Sequence, residues 1–268
     1  MSKAVSLAFA IWCLSHAAAF AWGVEGHHLV ARIAAGELTP KAKAAVADLL
    51  GEDATSGMVQ ASTWADEIRP GRPETAPRHY VNIAISSNGY DAAHDCPDDA
   101  CVVAQIERDA KIVGDRAISK PVRAEALRFL IHFVGDMHQP LHCADNQDRG
   151  GNSVRVVLGG RRTNLHAVWD TAVVEAFGGS EGELAGVLEE GITSAGRSAW
   201  PRGTIVDWAN ETFGVAKTSV YRGIQGSGGN YAPVILPADY AQSNWPVAAV
   251  QLERAGVRLA ALLNRHLG

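Results

Sequence analysis

Residues 127–170 read LRFLIHFVGDMHQPLHCADNQDRGGNSVRVVLGGRRTNLHAVWD, and this stretch decides how the rest of the chain is read. Leu127, Leu130, Ile131 and Val134 recur at helical intervals and mark the apolar face of a helix. His132 and Asp136, four residues apart, fall on one side of it, a turn from each other. Pro140 ends or bends that helix, so His142 leaves its register and can reach a different ion. His166 and Asp170 repeat the four-residue spacing on the next helix. Between the two lie Gly150 and Gly151, the alternating Val154, Val156 and Leu158, then Gly159 and Gly160, which together predict a small β-hairpin. A lone histidine on a half-apolar helix is an ordinary core or surface residue. Two His-x3-Asp pairs in one short block reverse that expectation, and three imidazoles with two carboxylates suit zinc while exceeding what one zinc takes. His138 mimics a ligand partner of His142, but Pro140 lies between them and His138 is set aside.

Outward from this block, the chain begins MSKAVSLAFAIWCLSHAAAFA: one basic residue, a short apolar run and a small-x-small end at Ala19 and Ala21. That is the pattern of a secretory leader over residues 1–21. Cleavage after Ala21 makes Trp22 the N-terminus and leaves residues 22–268 as one domain large enough for its own core. The free amine of Trp22 and the ring of His27 could then bind one ion, with Gly23 and Gly26 allowing the segment to fold back. No later segment is long and apolar enough to cross a bilayer, so the expected product is exported, to the periplasm or the medium. With 24 basic and 29 acidic residues, the chain is no basic nucleic-acid coat. Of four cysteines, Cys13 leaves with the leader. In an exported protein Cys96 and Cys101 are expected to close a small surface loop as a disulfide. Cys143 stays open between a metal ligand and a buried free thiol.

The remaining chain is mainly helical in pattern. Helical spacing starts at His27, with His28 facing elsewhere, and a second helix starts near Thr39 with Pro40 in its first turn. ASTWADEIRPG carries Trp64 as a core residue. Its Asp66 and Arg69, one turn apart, are either a surface ion pair or a metal ligand beside a phosphate clamp, for which the guanidinium fork is suited. RHYVNIAI, residues 78–85, reads as extended and bears His79, Tyr80 and Asn82. Helices are predicted over Val102–Gly114, from Pro121 onward, and over residues 181–194, 204–221 and 237–267. The last presents Val247, Val250, Leu252, Val257, Leu259, Leu262 and Leu263 as a core wall. The glycine-rich residues 223–236 read as a surface loop. There is no internal repeat, and His94 and His266 look incidental.

Taken in order, the Trp22 N-terminus, GH at His27, WAD at Asp66, HYVN at 79–82, HFVGDMHQPLH at 132–142 and NLHAVWD at 164–170 make the chain resemble the type I nucleases. These are zinc-dependent, single-strand-specific nucleases of fungi, plants and bacteria, related in fold to bacterial zinc phospholipase C. The resemblance covers nearly all of residues 22–268. It implies a mainly α, single-domain fold with a small β-hairpin and three zinc ions. The first ion would take Asp66, His79, His132 and Asp136. The second would take the amine and carbonyl of Trp22, with His27 and the shared Asp136. The third would take His142, His166 and Asp170. A hydroxide bridging the paired ions would attack the phosphodiester, Arg69 would hold the phosphate, and the products would carry 5′-phosphates. Tyr80 matches a position where an aromatic ring stacks on an unpaired base. Asn82 stands where fungal members carry a carboxylate, which leaves base preference open.

The substrates implied are single-stranded DNA and RNA, cut as an endonuclease with possible 3′-nucleotidase action, by a protein expected to be a monomer. Two alternatives stand beside this reading. Zinc phospholipase C ends its last ligand pair with Glu where this chain has Asp170. A secreted zinc-binding protein without turnover would have no need of Arg69 and Tyr80. Cys143 has no role in the family scheme, and the longer-range disulfide of fungal members is absent. Asn210 lies in a glycosylation sequon, relevant only in a host that glycosylates.

Overall fold

The computed structural model describes residues 22–224 and 232–268, so the expected leader and part of the glycine-rich segment lie outside the described residues. The described chain is mainly α with one small sheet. It opens with α1 (Gly23–Gly36), α2 (Pro40–Leu50), α3 (Ala54–Ala61) and α4 (Trp64–Ile68), followed after a 3-10 stretch (Pro73–His79) by α5 (Ala92–Asp95), α6 (Val102–Gly114) and α7 (Lys120–His138). Strands β1 (Arg155–Leu158) and β2 (Arg161–Asn164) precede α8 (Leu165–Ala167), α9 (Val173–Glu175), α10 (Glu181–Gly191), α11 (Ser194–Ala199) and α12 (Ile205–Val215). Strand β3 (Val234–Ile235) and the long α13 (Tyr240–Leu267) complete it.

Local chemistry sets these boundaries. Thr39 caps α2 by accepting from the Ala42 N–H, with Pro40 in the first turn, and Gly51 closes the helix in the left-handed region at φ 78°, where glycine carries no steric cost. Reciprocal capping boxes, Ser180 with Glu183 and Thr204 with Asp207, start α10 and α12. Helix α7 stops at His138 because Gln139 precedes Pro140 and takes the extended conformation that proline imposes on its predecessor.

Helix α7 is the axis of the molecule. It packs against α1, α2, α3, α4, α6, α12 and α13, and every residue from Phe129 to His138 is buried. Helix α13 crosses α1 so closely that a Cβ at Gly256 would stand 2.4 Å from Ile33 Cγ2. Most of the expected α13 wall is buried, but Val250 is 37% exposed and faces outward, because its position falls off the helix's apolar stripe.

The hairpin forms as read. Gly159 and Gly160 take positive φ values of 56° and 80°, which matches the twist of a two-residue turn, and Leu158 pairs with Arg161. The glycine-rich segment is more than a loop: Val234 and Ile235 pair in parallel with Val156 and Val157, giving the strand order β2-β1-β3. Cys96 and Cys101 form the disulfide. No helix among the described residues is long and apolar enough to cross a membrane.

Candidate metal centre

The ligand candidates come from separate parts of the chain and converge at the C-terminal half of α7. His132 and Asp136 project from that helix, His27 from α1, Asp66 from α4, and His79 from the end of the 3-10 stretch. His142 sits in the 3-10 turn that Pro140 starts, so the break at proline delivers it to a different group. His166 sits in α8 and Asp170 within the π-helical turn Val168–Ala172 that follows it, instead of both on one regular α-helix. All seven side chains from His27 to His166 that carry these donors, and Asp170, are buried. Their donor atoms gather into three groups within 4.8 Å: His27, Asp66 and His132; His79, His132 and Asp136; His142, His166 and Asp170.

In the group around α7, His79 Nδ1 stands 2.9 Å from Asp136 Oδ2 and 3.1 Å from His132 Nε2. His132 Nε2 is 3.2 Å from Asp136 Oδ2 and 3.7 Å from Asp66 Oδ2, and His79 Nδ1 is 3.6 Å from Asp66 Oδ1. Donors held at about 2.0–2.1 Å in a tetrahedron stand about 3.3–3.4 Å apart, so these four side chains already have the spacing of a zinc cage. In the other group His142 Nε2 lies 3.2 Å from His166 Nε2, which is 3.4 Å from Asp170 Oδ2.

Each of three rings is oriented by a backbone carbonyl. The Nδ1–H groups donate to Ser62 O from His132 (2.6 Å), to His79 O from His142 (2.7 Å) and to Gly150 O from His166 (2.6 Å). This outer hydrogen bond fixes the tautomer and turns a lone pair at Nε2 toward the centre. His142 and His166 therefore aim two lone pairs at each other. A proton does not fill the gap at neutral pH, since burial pushes these rings down to about 3 and about 4. A cation between them relieves the repulsion. The carboxylates make the same demand: Asp136 Oδ1, Asp170 Oδ2 and Asp66 Oδ1 are buried with no hydrogen-bond partner, Asp66 Oδ1 having ion-pair contacts with Arg69 at 3.2 Å and His79 at 3.6 Å.

The remaining electrostatics follow the same pattern. Burial opposes the charge on Asp136, yet His132, His27 and His79 around it hold its carboxyl well below the usual range. His132 is opposed by burial too, but Asp136 and Asp66 push it up to about 9, so in the absence of metal a proton supplies part of the missing positive charge. Burial drives Asp170 far above the usual carboxylate range, against the Gln139 Nε2 donor at 2.6 Å; a divalent cation would reverse that. Phe133 sets its ring edge-on to His79 and His132 and keeps this side of the centre dry.

At the N-terminal edge, His27 stacks on His132 at 4.1 Å, its Nε2 lies 3.4 Å from Asp136 Oδ1, and neither ring nitrogen has a hydrogen-bond partner. Trp22 is fully buried. In the uncleaved chain its nitrogen is an amide that donates to Asp170, and its carbonyl accepts from the Gly26 N–H at 3.0 Å. Arg69 is partly exposed, Tyr80 is 38% exposed, and Asn82 is exposed beside it. Of the 78–85 run, Arg78 and His79 lie in the 3-10 turn and the extended part begins at Tyr80.

Residues set aside in the sequence have other partners. His28 pairs with Glu181 and His94 with Asp95. His138 donates from Nδ1 to Val134 O and accepts from Arg258. Cys143 is a buried free thiol whose Sγ donates to Met137 O, and burial raises its pKa, so it offers no thiolate. The residues missed were Gln139, which bridges Asp170 and the Leu141 N–H, and the carbonyl partners at Ser62 and Gly150. Only Gln139 had a sequence signal, a polar side chain between a helix end and Pro140.

With this geometry established, comparison with known proteins gives a consistent result. The family model described as S1/P1 Nuclease matches residues 22–268. Endonuclease 2 of Arabidopsis thaliana is 31% identical over 92% of this chain and 91% of its own. Nuclease S1 of Aspergillus oryzae is 30% identical over 91% of each chain. Nuclease P1 of Penicillium citrinum is 29% identical over 92% of this chain and 98% of its own.

Proposed function

The chain belongs to the S1/P1 nuclease family, hydrolases acting on phosphodiester bonds, and on that premise we propose an exported zinc nuclease that cuts single-stranded DNA and RNA to 5′-phosphate products. The phospholipase C and non-catalytic readings fall away with the family assignment. The observation that carries the zinc reading is the pair of facing Nε2 lone pairs of His142 and His166, 3.2 Å apart and closed off from protons by burial.

In this reading Asp66, His79, His132 and Asp136 hold one ion, Trp22 and His27 with Asp136 a second, and His142, His166 and Asp170 a third. Zinc bound there supplies Lewis acidity toward the phosphate and a water acidified to a pKa of about 7. Arg69, braced against Asp66 at 3.2 Å, presents its fork to the non-bridging phosphate oxygens. Asp136 lies at the contact of His27, His79 and His132, so it would be the ligand shared between the first ion and the second. Tyr80 stacks on a base, which selects for an unpaired strand because a duplex keeps its bases stacked on each other. Asn82, with a donor and an acceptor, contacts the base edge. Leader removal converts the Trp22 amide into an amine that can serve as a ligand, and the processed protein acts as a monomer.

Incubating processed protein with matched single- and double-stranded oligonucleotides, and then analysing the ends, tests this reading. The expected outcome is cleavage of the single strands with 5′-phosphate ends. Products with 3′-phosphates, or equal cleavage of the duplex, would contradict it.

A further inference from the structure

Between Asp148 and Asp170 the chain has no acidic residue but carries Arg149, Arg155, Arg161 and Arg162, a positive segment in a protein whose formal net charge is -5. All four are exposed, and among the described residues Arg149, Arg161 and Arg162 form no ion pair, whereas Arg32, Arg72 and Arg197 elsewhere in the chain pair with glutamates.

The segment is joined directly to the metal centre. Arg149 precedes Gly150, whose carbonyl orients His166, and β2 runs through Arg161 and Arg162 into Asn164, which caps the helix bearing His166. Strand β2 is an edge strand. Arg155 pairs with Asn164 and Val157 with Arg162, and alternation along each strand puts Arg155 and Arg162 on one face, opposite the face on which Val156 is buried. A cavity of about 610 Å³ connects the end of this strand, at Thr163 and Asn164, with Asp170 and Trp22. Its lining also carries Glu25, Glu175 and Glu181 and no lysine or arginine, so a polyanion leaving the centre is favoured over the arginine-bearing hairpin and not in the cavity itself.

We propose that hairpin β1–β2, with the loop at Arg149, is a docking track for the phosphates of a single-stranded polynucleotide extending away from the scissile bond. The proposal rests on the nuclease reading and adds to it that substrate length matters: a dinucleotide ends within the metal centre, whereas a longer strand reaches the arginines. Because the contacts are to phosphate, they are blind to sequence and weaken with salt.

The test compares the wild type, R155Q/R162Q and R155K/R162K, the pair that shares one face of the hairpin, with kcat/KM measured across a salt series. The substrates are a dinucleotide and a single-stranded oligonucleotide of about a dozen residues, a length in the range of single-strand binding sites. For R155Q/R162Q the dinucleotide value should stay within about twofold, while the oligonucleotide value falls about tenfold at low salt and its log–log salt slope flattens by about 0.7 per lost phosphate contact. The lysine pair, which keeps the charge, should behave as wild type. Equal losses on both substrates, or an unchanged oligonucleotide value and slope, would overturn the track. A wild type that cleaves neither substrate would instead remove the nuclease reading on which it rests.

Discussion

Gln139 is the residue whose replacement separates the fold from the metal centre most cleanly. Its side chain is fully buried and has two roles: Nε2 donates to Asp170 Oδ1 and Oε1 accepts from the Leu141 N–H, each at 2.6 Å. Gln139→Met keeps the volume close and removes both. Loss of the Oε1 acceptor leaves the buried Leu141 N–H unpaired, which costs about 1–3 kcal/mol whether or not metal is present. Loss of the Nε2 donor frees Asp170 to rotate away from His166, and losing such a partner of a ligand weakens metal binding about 10–100-fold, or about 1.4–2.7 kcal/mol. The assay has two arms. Urea unfolding of zinc-free protein reads the cost of the unpaired N–H, and zinc release to a calibrated chelator reads the loss at Asp170. One equivalent of zinc should leave the variant earlier, with the remainder unchanged. Wild-type release of all the zinc would refute the argument that Gln139 holds the Asp170 site together.

Three further outcomes follow from the geometry. Gly135→Ala puts a Cβ 2.9 Å from His27 Nδ1; the crowding should cost about 1–3 kcal/mol and lower zinc by one equivalent in metal analysis, and unchanged zinc content would count against His27 as a ligand. Arg69→Ala should lower single-strand kcat/KM by about 100-fold, in line with the loss of a charged transition-state donor, while metal content stays the same; intact hydrolysis would remove the phosphate-clamp role. In zinc-free protein, burial holds His142 at about 3 and His166 at about 4, so their contribution to stability is complete above the unfolded value of about 6.5 and is lost as pH falls toward 4 and then 3. His132 has the opposite sign: burial works against its charge, but Asp136 raises it to about 9, and its contribution is complete below about 6.5 and lost as pH rises through 9. Urea midpoints of the zinc-free protein from acid to alkaline pH should therefore fall on both sides, and a profile flat on either side contradicts the corresponding assignment.

The parts of this protein legible in its sequence are those with local causes. Thr39-Pro40, Pro121, Pro140 and the Gly159-Gly160 turn act on their immediate neighbours, and the structure starts or stops elements at each of them. The ligand candidates were visible because His and Asp recur at turn spacing. What was hidden depends on distance or on the main chain. The carbonyls of Ser62, His79 and Gly150 orient three imidazoles across separations of 16 to 70 residues, and a carbonyl has no residue type to betray it. Strand β3 is only two residues long and pairs because β1 offers a free edge, which no local pattern announces. The π-turn at Val168–Ala172 escaped notice because His-x3-Asp spacing reads the same in an α-helix. Val250 was misplaced because apolar character was counted without its angle around α13.

The central claim is that the metal centre is completed by an N-terminus that only leader removal creates. The direct measurement is zinc per chain, together with single-strand hydrolysis, on two preparations: one beginning at Trp22 and one carrying a single additional residue before it. The account predicts about three zinc ions and full activity for the first, with one ion fewer and little activity for the second. Equal zinc and equal activity in both would show that the Trp22 nitrogen is not a ligand, and the centre would have to be explained by His27, Asp66, His79, His132, Asp136, His142, His166 and Asp170 alone.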